Sequence, residues 1–113
     1  MNRLEEILKL LDDYKIENIE YIDVKDVSSL FDYMVVGTAR SSQHAKKAAD
    51  NIQYHFKPKM EAIPKSDGSE IGDWIAVDLD DVVLHIMLEE ERNKYKLEEL
   101  WQELKKLYNA SDN

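Results

Sequence analysis

Two apolar runs, Trp74–Leu79 and Val82–Met87, are separated only by Asp80 and Asp81, and nothing else in the chain limits the fold as tightly. Both runs are rich in aliphatic and β-branched residues, the composition of strands. A two-residue connection between strands makes a tight hairpin. The turn then fixes the register, because a slip of one residue would turn every side chain to the opposite face. Leu79 faces Val82, Val77 faces Leu84 and Ile75 faces Ile86, so six aliphatic side chains form one face and a core layer. The other face sets Trp74 opposite Met87, Ala76 opposite His85, and Asp78 opposite Val83. Two readings of that second face stay open. Either helices roof it, with Asp78 and His85 hydrogen-bonded beneath them, or it is left bare as a docking surface.

The flanking segments supply the rest of a sheet and its helices. Leu4, Ile7, Leu8, Leu11 and Tyr14 recur at three- and four-residue steps, which predicts a helix over about residues 3–15. Residues 19–24 alternate as a strand, with a turn at Asp26 and Ser28-Ser29. Asp32–Thr38 is a continuous β-rich run of the kind buried on both faces. Ser41 or Ser42 caps a helix whose apolar stripe is Ala45, Ala48, Ala49, Ile52 and Phe56, and Pro58 ends it. Met60–Ile63 reads as a short edge strand and Ser66–Gly72 as a polar loop. A last helix is predicted over about 94–108, with Leu97, Leu100, Trp101, Leu104 and Leu107 or Tyr108 on one side. The order α-β-β-α-β-β-β-α predicts an α/β fold, a mixed five-stranded sheet backed by helices. At 113 residues this is one domain, spanning 1–109, with 110–113 a frayed tail. Three helices barely suffice to cover both faces of five strands, which favours some open patch.

Charge narrows the function. Between Ser66 and Glu91 stand nine carboxylates, Asp67, Glu70, Asp73, Asp78, Asp80, Asp81, Glu89, Glu90 and Glu91, and no Lys or Arg. The net charge of the whole chain is -9, so this segment carries the entire imbalance. An acidic surface with exposed aromatics suits a basic protein partner and repels a phosphate backbone. Direct sequence-specific nucleic-acid binding is therefore not expected, since it needs a Lys/Arg footprint. No run of about 18 apolar residues spans a membrane, and the N-terminal residues lack the apolar stretch of a signal peptide. The absence of cysteine rules out thiol chemistry and disulfides and fits a cytoplasmic protein.

Catalytic readings are weaker. Asp78 and Asp80, two apart, offer a carboxylate pair for a divalent cation, and with His85 they sketch a metal-dependent nucleotidyltransferase-like enzyme. No Gly-rich phosphate cradle accompanies them, and the nearest cations in sequence are Lys65 and Arg92, whereas phosphoryl chemistry depends on such help. A hydrolase triad on His85 lacks a Gly-x-Ser-x-Gly elbow. His44 and His55 have no ligand spacing and read as surface residues, and Glu89-Glu90-Glu91 reads as a solvated run. No metal and no cofactor is expected, and the chain is read as a binder rather than an enzyme.

Four ordered blocks then match a known pattern. Ser28–Thr38, Ser-Ser-Leu-Phe-Asp-Tyr-Met-Val-Val-Gly-Thr, resembles a Ser-x-x-x-Asp-Tyr-x-Val-Ile-x-Thr strand. Gly72-Asp73-Trp74-Ile75-Ala76-Val77-Asp78 resembles a Gly-x-Trp block that ends in Asp, and Val82-Val83-Leu84-His85 follows at the expected interval. Glu90-x-Arg92-x-x-Tyr95-x-Leu97-Glu98-x-Leu100-Trp101 is similar to a closing signature. The chain thus resembles the ribosomal silencing factor, or Iojap-like, family of bacteria and organelles over nearly its whole length. It departs at Met87 and Lys94, where aromatics are usual.

The resemblance implies a fold related to nucleotidyltransferases without their catalytic apparatus. It also implies binding to the fourteenth protein of the large ribosomal subunit, which blocks subunit joining and represses translation. Family members also form dimers, so a homodimer is expected as well. On this reading Trp74 is the anchor, Asp78 and His85 orient it, Met87 and Tyr95 flank it, and Arg92 supports the edge. Leu97, Leu100 and Trp101 are carried as signature positions that either bind or pack.

Overall fold

The computed structural model describes residues 2–111, with side chains through residue 106. Helix α1, Arg3–Asp13, begins at a capping box. The Asn2 side chain accepts from the Glu5 amide, and the Glu5 carboxylate reaches back to the Asn2 amide, which satisfies two otherwise orphaned donors. Strands β1, Glu17–Asp23, and β2, Tyr33–Ala39, follow, and then helix α2, Ser42–Phe56, capped by the Ser41 hydroxyl at the His44 amide. After a short 3-10 turn come β3, Lys65–Asp67, β4, Trp74–Leu79, and β5, Val82–Leu88. Helices α3, Glu89–Tyr95, and α4, Leu97–Ser111, close the chain.

The five strands form one mixed sheet in the order β1-β2-β5-β4-β3. Only β2 and β5 run parallel, and the other neighbours are antiparallel. The hairpin register is the expected one, with Leu79 on Val82, Ile75 on Ile86 and Trp74 on Met87. Its aliphatic face, together with Val35 of β2, packs against Ile7 and Leu11 of α1 and Ala45, Ala48, Ala49, Ile52 and Phe56 of α2. Small alanines let α2 lie close to the sheet, and this layer is the main core.

The second face has a smaller cluster, Ile22, Val24, Met34, Val36 and Met87, packed by Val27 and Phe31 from the β1–β2 loop and by Leu97 and Trp101 from α4. The loop and α4 roof the β1–β2 side. On the β5–β4 side Val83, His85, Trp74 and Ala76 remain half-buried and Asp78 is exposed. This face is half roofed and half bare, and the roofed part does not cover a hydrogen bond between Asp78 and His85.

Two boundaries differ from expectation. The edge strand is not Met60–Ile63 but Lys65–Asp67, because Asp78, Val77 and Ala76 of β4 pair with it there. Three polar residues carried no alternation to reveal it. The closing helix is two helices, broken at Lys96, which takes a left-handed φ of 44° as the C-cap of α3. Glu89-Glu90-Glu91, with Glu89 and Glu90 exposed as a solvated run would be, forms the first turn of α3, and three carboxylates there suit the positive end of a helix dipole. Helix α4 continues through Ser111, so of the tail expected at 110–113 only 112 and 113 lie outside the described residues. The side chains of Leu107 and Tyr108 lie outside them as well.

Candidate functional site

The bare half of the second face is organised around Trp74. This residue opens β4, and His85 in β5 is its diagonal neighbour on the same face. The indole Nε1–H donates to His85 Nδ1 over 2.9 Å. The indole also meets the Tyr95 ring with centroids 4.9 Å apart, in a tilted contact. Tyr95 itself is half exposed at the end of α3. The loop before β4 packs tightly under the Trp74 backbone: Gly68, at φ 92°, lies where any Cβ would strike the Trp74 carbonyl. Asp67, Gly68, Trp74 and Ala76 line a shallow depression beside the ring.

Burial pushes the His85 pKa from its ordinary 6.5 down to about 4, because the charged ring would lose hydration. The imidazole is therefore neutral at pH 7. Asp78 is not its partner. The Asp78 carboxylate accepts from the Asp80 amide at 3.1 Å, a local turn contact.

Several expected site residues are placed otherwise. Met87 is fully buried in the second cluster, against which Trp74 packs, and so offers no surface. Arg92 is buried rather than at an edge. It donates to the Thr38 hydroxyl at 2.9 Å and to the Asn18 carbonyl, and it pairs with Glu20 and Glu98 at 3.5 Å each. Leu97 and Trp101 pack onto the second cluster, while Leu100 is exposed beside Leu104. The packed stripe follows i, i+4 steps through 97 and 101, and Leu100 falls off it.

The proposed catalytic group does not assemble either. Asp80 and Asp81 both pair with Arg3, at 3.5 and 3.1 Å. Among the described residues no three His, Asp or Glu side chains gather to hold a metal ion. His44 and His55 turn out half-buried and structural: His44 receives the Arg40 amide and bonds the Tyr14 carbonyl, and His55 meets Glu6. Ala76 and Val83 lie on this face as the hairpin register places them, whereas nothing in the sequence pointed to Arg3 or Gly68. Asp78 is the partner the sequence suggests for His85, although the hairpin register sets Trp74 diagonal to His85, within reach of long side chains.

Acids stand on the elements next to this patch, β3, β4 and α3. Asp67, Asp73, Asp78, Glu89 and Glu90 are exposed and make no ion pair among the described residues. The arrangement therefore offers an aromatic pair, one imidazole and a carboxylate rim on a rigid sheet. No described helix is long and apolar enough to cross a membrane.

Comparison with known proteins agrees with the blocks read in the sequence. A family profile described as "Ribosomal silencing factor during starvation" matches residues 1–112. The ribosomal silencing factor RsfS of Chromobacterium violaceum is 38% identical over 102 residues, covering 87% of this chain and 84% of that protein. The mouse protein named mitochondrial assembly of ribosomal large subunit protein 1 is 31% identical, over 84% of this chain and 43% of its own length. A crystal structure of a Chromobacterium violaceum protein superposes with a TM-score of 0.80 at 35% identity, covering 89% of this chain and 88% of that one.

Proposed function

Because the chain belongs to the ribosomal silencing factor family, we propose that it binds the large ribosomal subunit and blocks its association with the small one, repressing translation. The contact is read as the fourteenth large-subunit protein, and the bare half of the sheet as the surface that meets it. One observation carries this reading: Trp74 stands half-buried, held by His85 and Tyr95, on the side of the second face away from the β1–β2 loop and α4.

The physics of such a contact is simple. Ribosomal proteins are typically basic, so unpaired carboxylates around the patch speed encounter and orient it. The rigid indole then supplies desolvated contact area, the role in which Trp recurs at hot spots. Blocking subunit joining needs no reaction, only occupancy of ground the small subunit also requires. An interface of about 800 Å² per partner is enough for that. The mouse relative's name ties that protein to large-subunit assembly, which supports the choice of subunit. The scaffold is read as nucleotidyltransferase-like and turned to binding. The engagement of Asp80 and Asp81 by Arg3 supports that view. A homodimer in solution is part of the same proposal.

The test is direct. Purified protein should sediment with isolated large subunits and not with small ones, and it should reduce joined ribosomes when subunits are mixed. Failure to sediment with large subunits at micromolar protein would sink the proposal.

A further inference from the structure

We propose that His85 is the positioning residue of this docking face: Nδ1 fixes the Trp74 indole, and Nε2–H presents a lone donor that a partner's hydrogen-bond acceptor must meet. The inference rests on the reading that the bare half-sheet docks a partner, and it adds the chemistry required of that partner.

An indole nitrogen donates and cannot accept. Since Trp74 Nε1 lies 2.9 Å from His85 Nδ1, that nitrogen must supply a lone pair. A neutral ring used in this way carries its proton on Nε2. The indole thus selects the tautomer. Protonating Nδ1 would aim one N–H at another, and burial already disfavours the charged ring.

Where Nε2 points follows from two further facts. It makes no hydrogen bond among the described residues, whereas Nδ1 does. Yet among those residues Glu98 Oε2 alone is a buried side-chain polar atom without a partner. His85 Nε2 is therefore within reach of solvent. Its neighbours on the face are Ala76 directly across, Val83 and Met87 two residues either way, and Val36 on β2. The result is one fixed donor in an apolar setting.

Such a donor discriminates. Covered by a carbonyl or hydroxyl oxygen it is satisfied, and covered by an apolar group or an ammonium it is left unmet in a dehydrated contact. A backbone carbonyl of a basic partner satisfies it while nearby cations of that partner meet the carboxylate rim.

Two variants separate positioning from mere bulk. His85→Gln keeps an acceptor for the indole and a donor directed outward, and His85→Leu keeps neither. In sedimentation with large subunits, His85→Leu should bind at least tenfold more weakly and His85→Gln within about threefold of the parent. The indole ¹⁵N–H resonance of Trp74 should shift and exchange faster in the Leu variant alone. Independently of either variant, ¹⁵N spectra of the parent at pH 7 should show imidazole His85 protonated on Nε2. A proton on Nδ1 overturns the proposal, and so does equal binding by all three proteins. If the parent itself fails to bind, the docking reading falls, and the tautomer measurement still decides whether His85 positions Trp74.

Discussion

The guanidinium of Arg92 on α3 donates to the hydroxyl of Thr38 on β2 over 2.9 Å, inside the protein. The same group holds the Asn18 carbonyl at a bulge of β1 and the Glu98 carboxylate at the start of α4. One side chain thus ties two strands to both closing helices, across the left-handed break at Lys96. Removing it leaves Glu98 a partly buried charge without its partner. Breaking such pairs from one side costs about 3 kcal/mol or more. Arg92→Ala should therefore lower unfolding free energy by about 3 kcal/mol in urea titrations. Binding per folded molecule should be unchanged, because the guanidinium faces inward. A variant as stable as the parent would show that the tie carries no load.

Trp74→Ala should weaken large-subunit binding by more than about 2 kcal/mol, roughly 30-fold, as truncation of central aromatics does. Tyr95→Ala should cost less, about 1 kcal/mol, since that ring backs the indole from one side only. Circular dichroism should show both variants folded, because neither ring is among the fully buried members of the second cluster. A folded Trp74→Ala with parental affinity would reassign the docking face.

Much of this was legible in the sequence because period-two alternation and a two-residue turn leave little freedom. Asp80-Asp81 set the hairpin, the hairpin set the faces, and Ile75, Val77, Leu84 and Ile86 lie where that register put them. Lys65-Ser66-Asp67 was not legible as a strand, since an edge partner exposed on all three residues needs no apolar pattern. Arg92 and Met87 were misplaced for a related reason. Signature residues were assumed to face a partner, but the buried guanidinium finds its partners in Asn18, Glu20, Thr38 and Glu98, which are scattered over eighty residues of chain. Only the folded sheet gathers them. The Trp74–His85 contact sat in between: the register placed the pair diagonally, but Asp78 offered His85 a rival partner.

Acid should destabilise the protein in a window set by His85. Its pKa is 6.5 when unfolded and about 4 when folded, so between those values the unfolded chain binds more protons. Stability is fully present above pH 6.5, falls as the pH drops toward 4, and flattens below. The full loss is about 2–3 kcal/mol, allowing for the partial exposure of the ring. Glu6, held below its ordinary value by hydrogen bonds from Lys59 and His55, adds a loss in the same direction at lower pH. Urea midpoints at pH 7.5 and 5 should therefore differ for the parent and converge for His85→Gln. Equal slopes in both proteins would remove His85 as the cause.

The loop beneath the indole makes the last prediction. Gly68 combines a φ of 92°, costly for any residue with a Cβ, with a backbone so close to Trp74 that a methyl group would strike its carbonyl. Neither strain can be relieved by a rotamer, because the obstructing atom belongs to the main chain of β4. Gly68→Ala must therefore push the loop off the strand or displace the first residue of β4. The backbone term alone is about 1–2 kcal/mol, and the clash adds to it. Because Trp74 begins β4, any displacement moves the indole against His85. Gly68→Ala should lower stability by about 2 kcal/mol and also weaken large-subunit binding, although Gly68 contributes no side chain to the contact. By contrast Ser69→Ala, one residue along, gives up only an exposed hydroxyl contact with Ser66 and should change neither. Equal behaviour of the two variants would show that the loop does not set the position of Trp74.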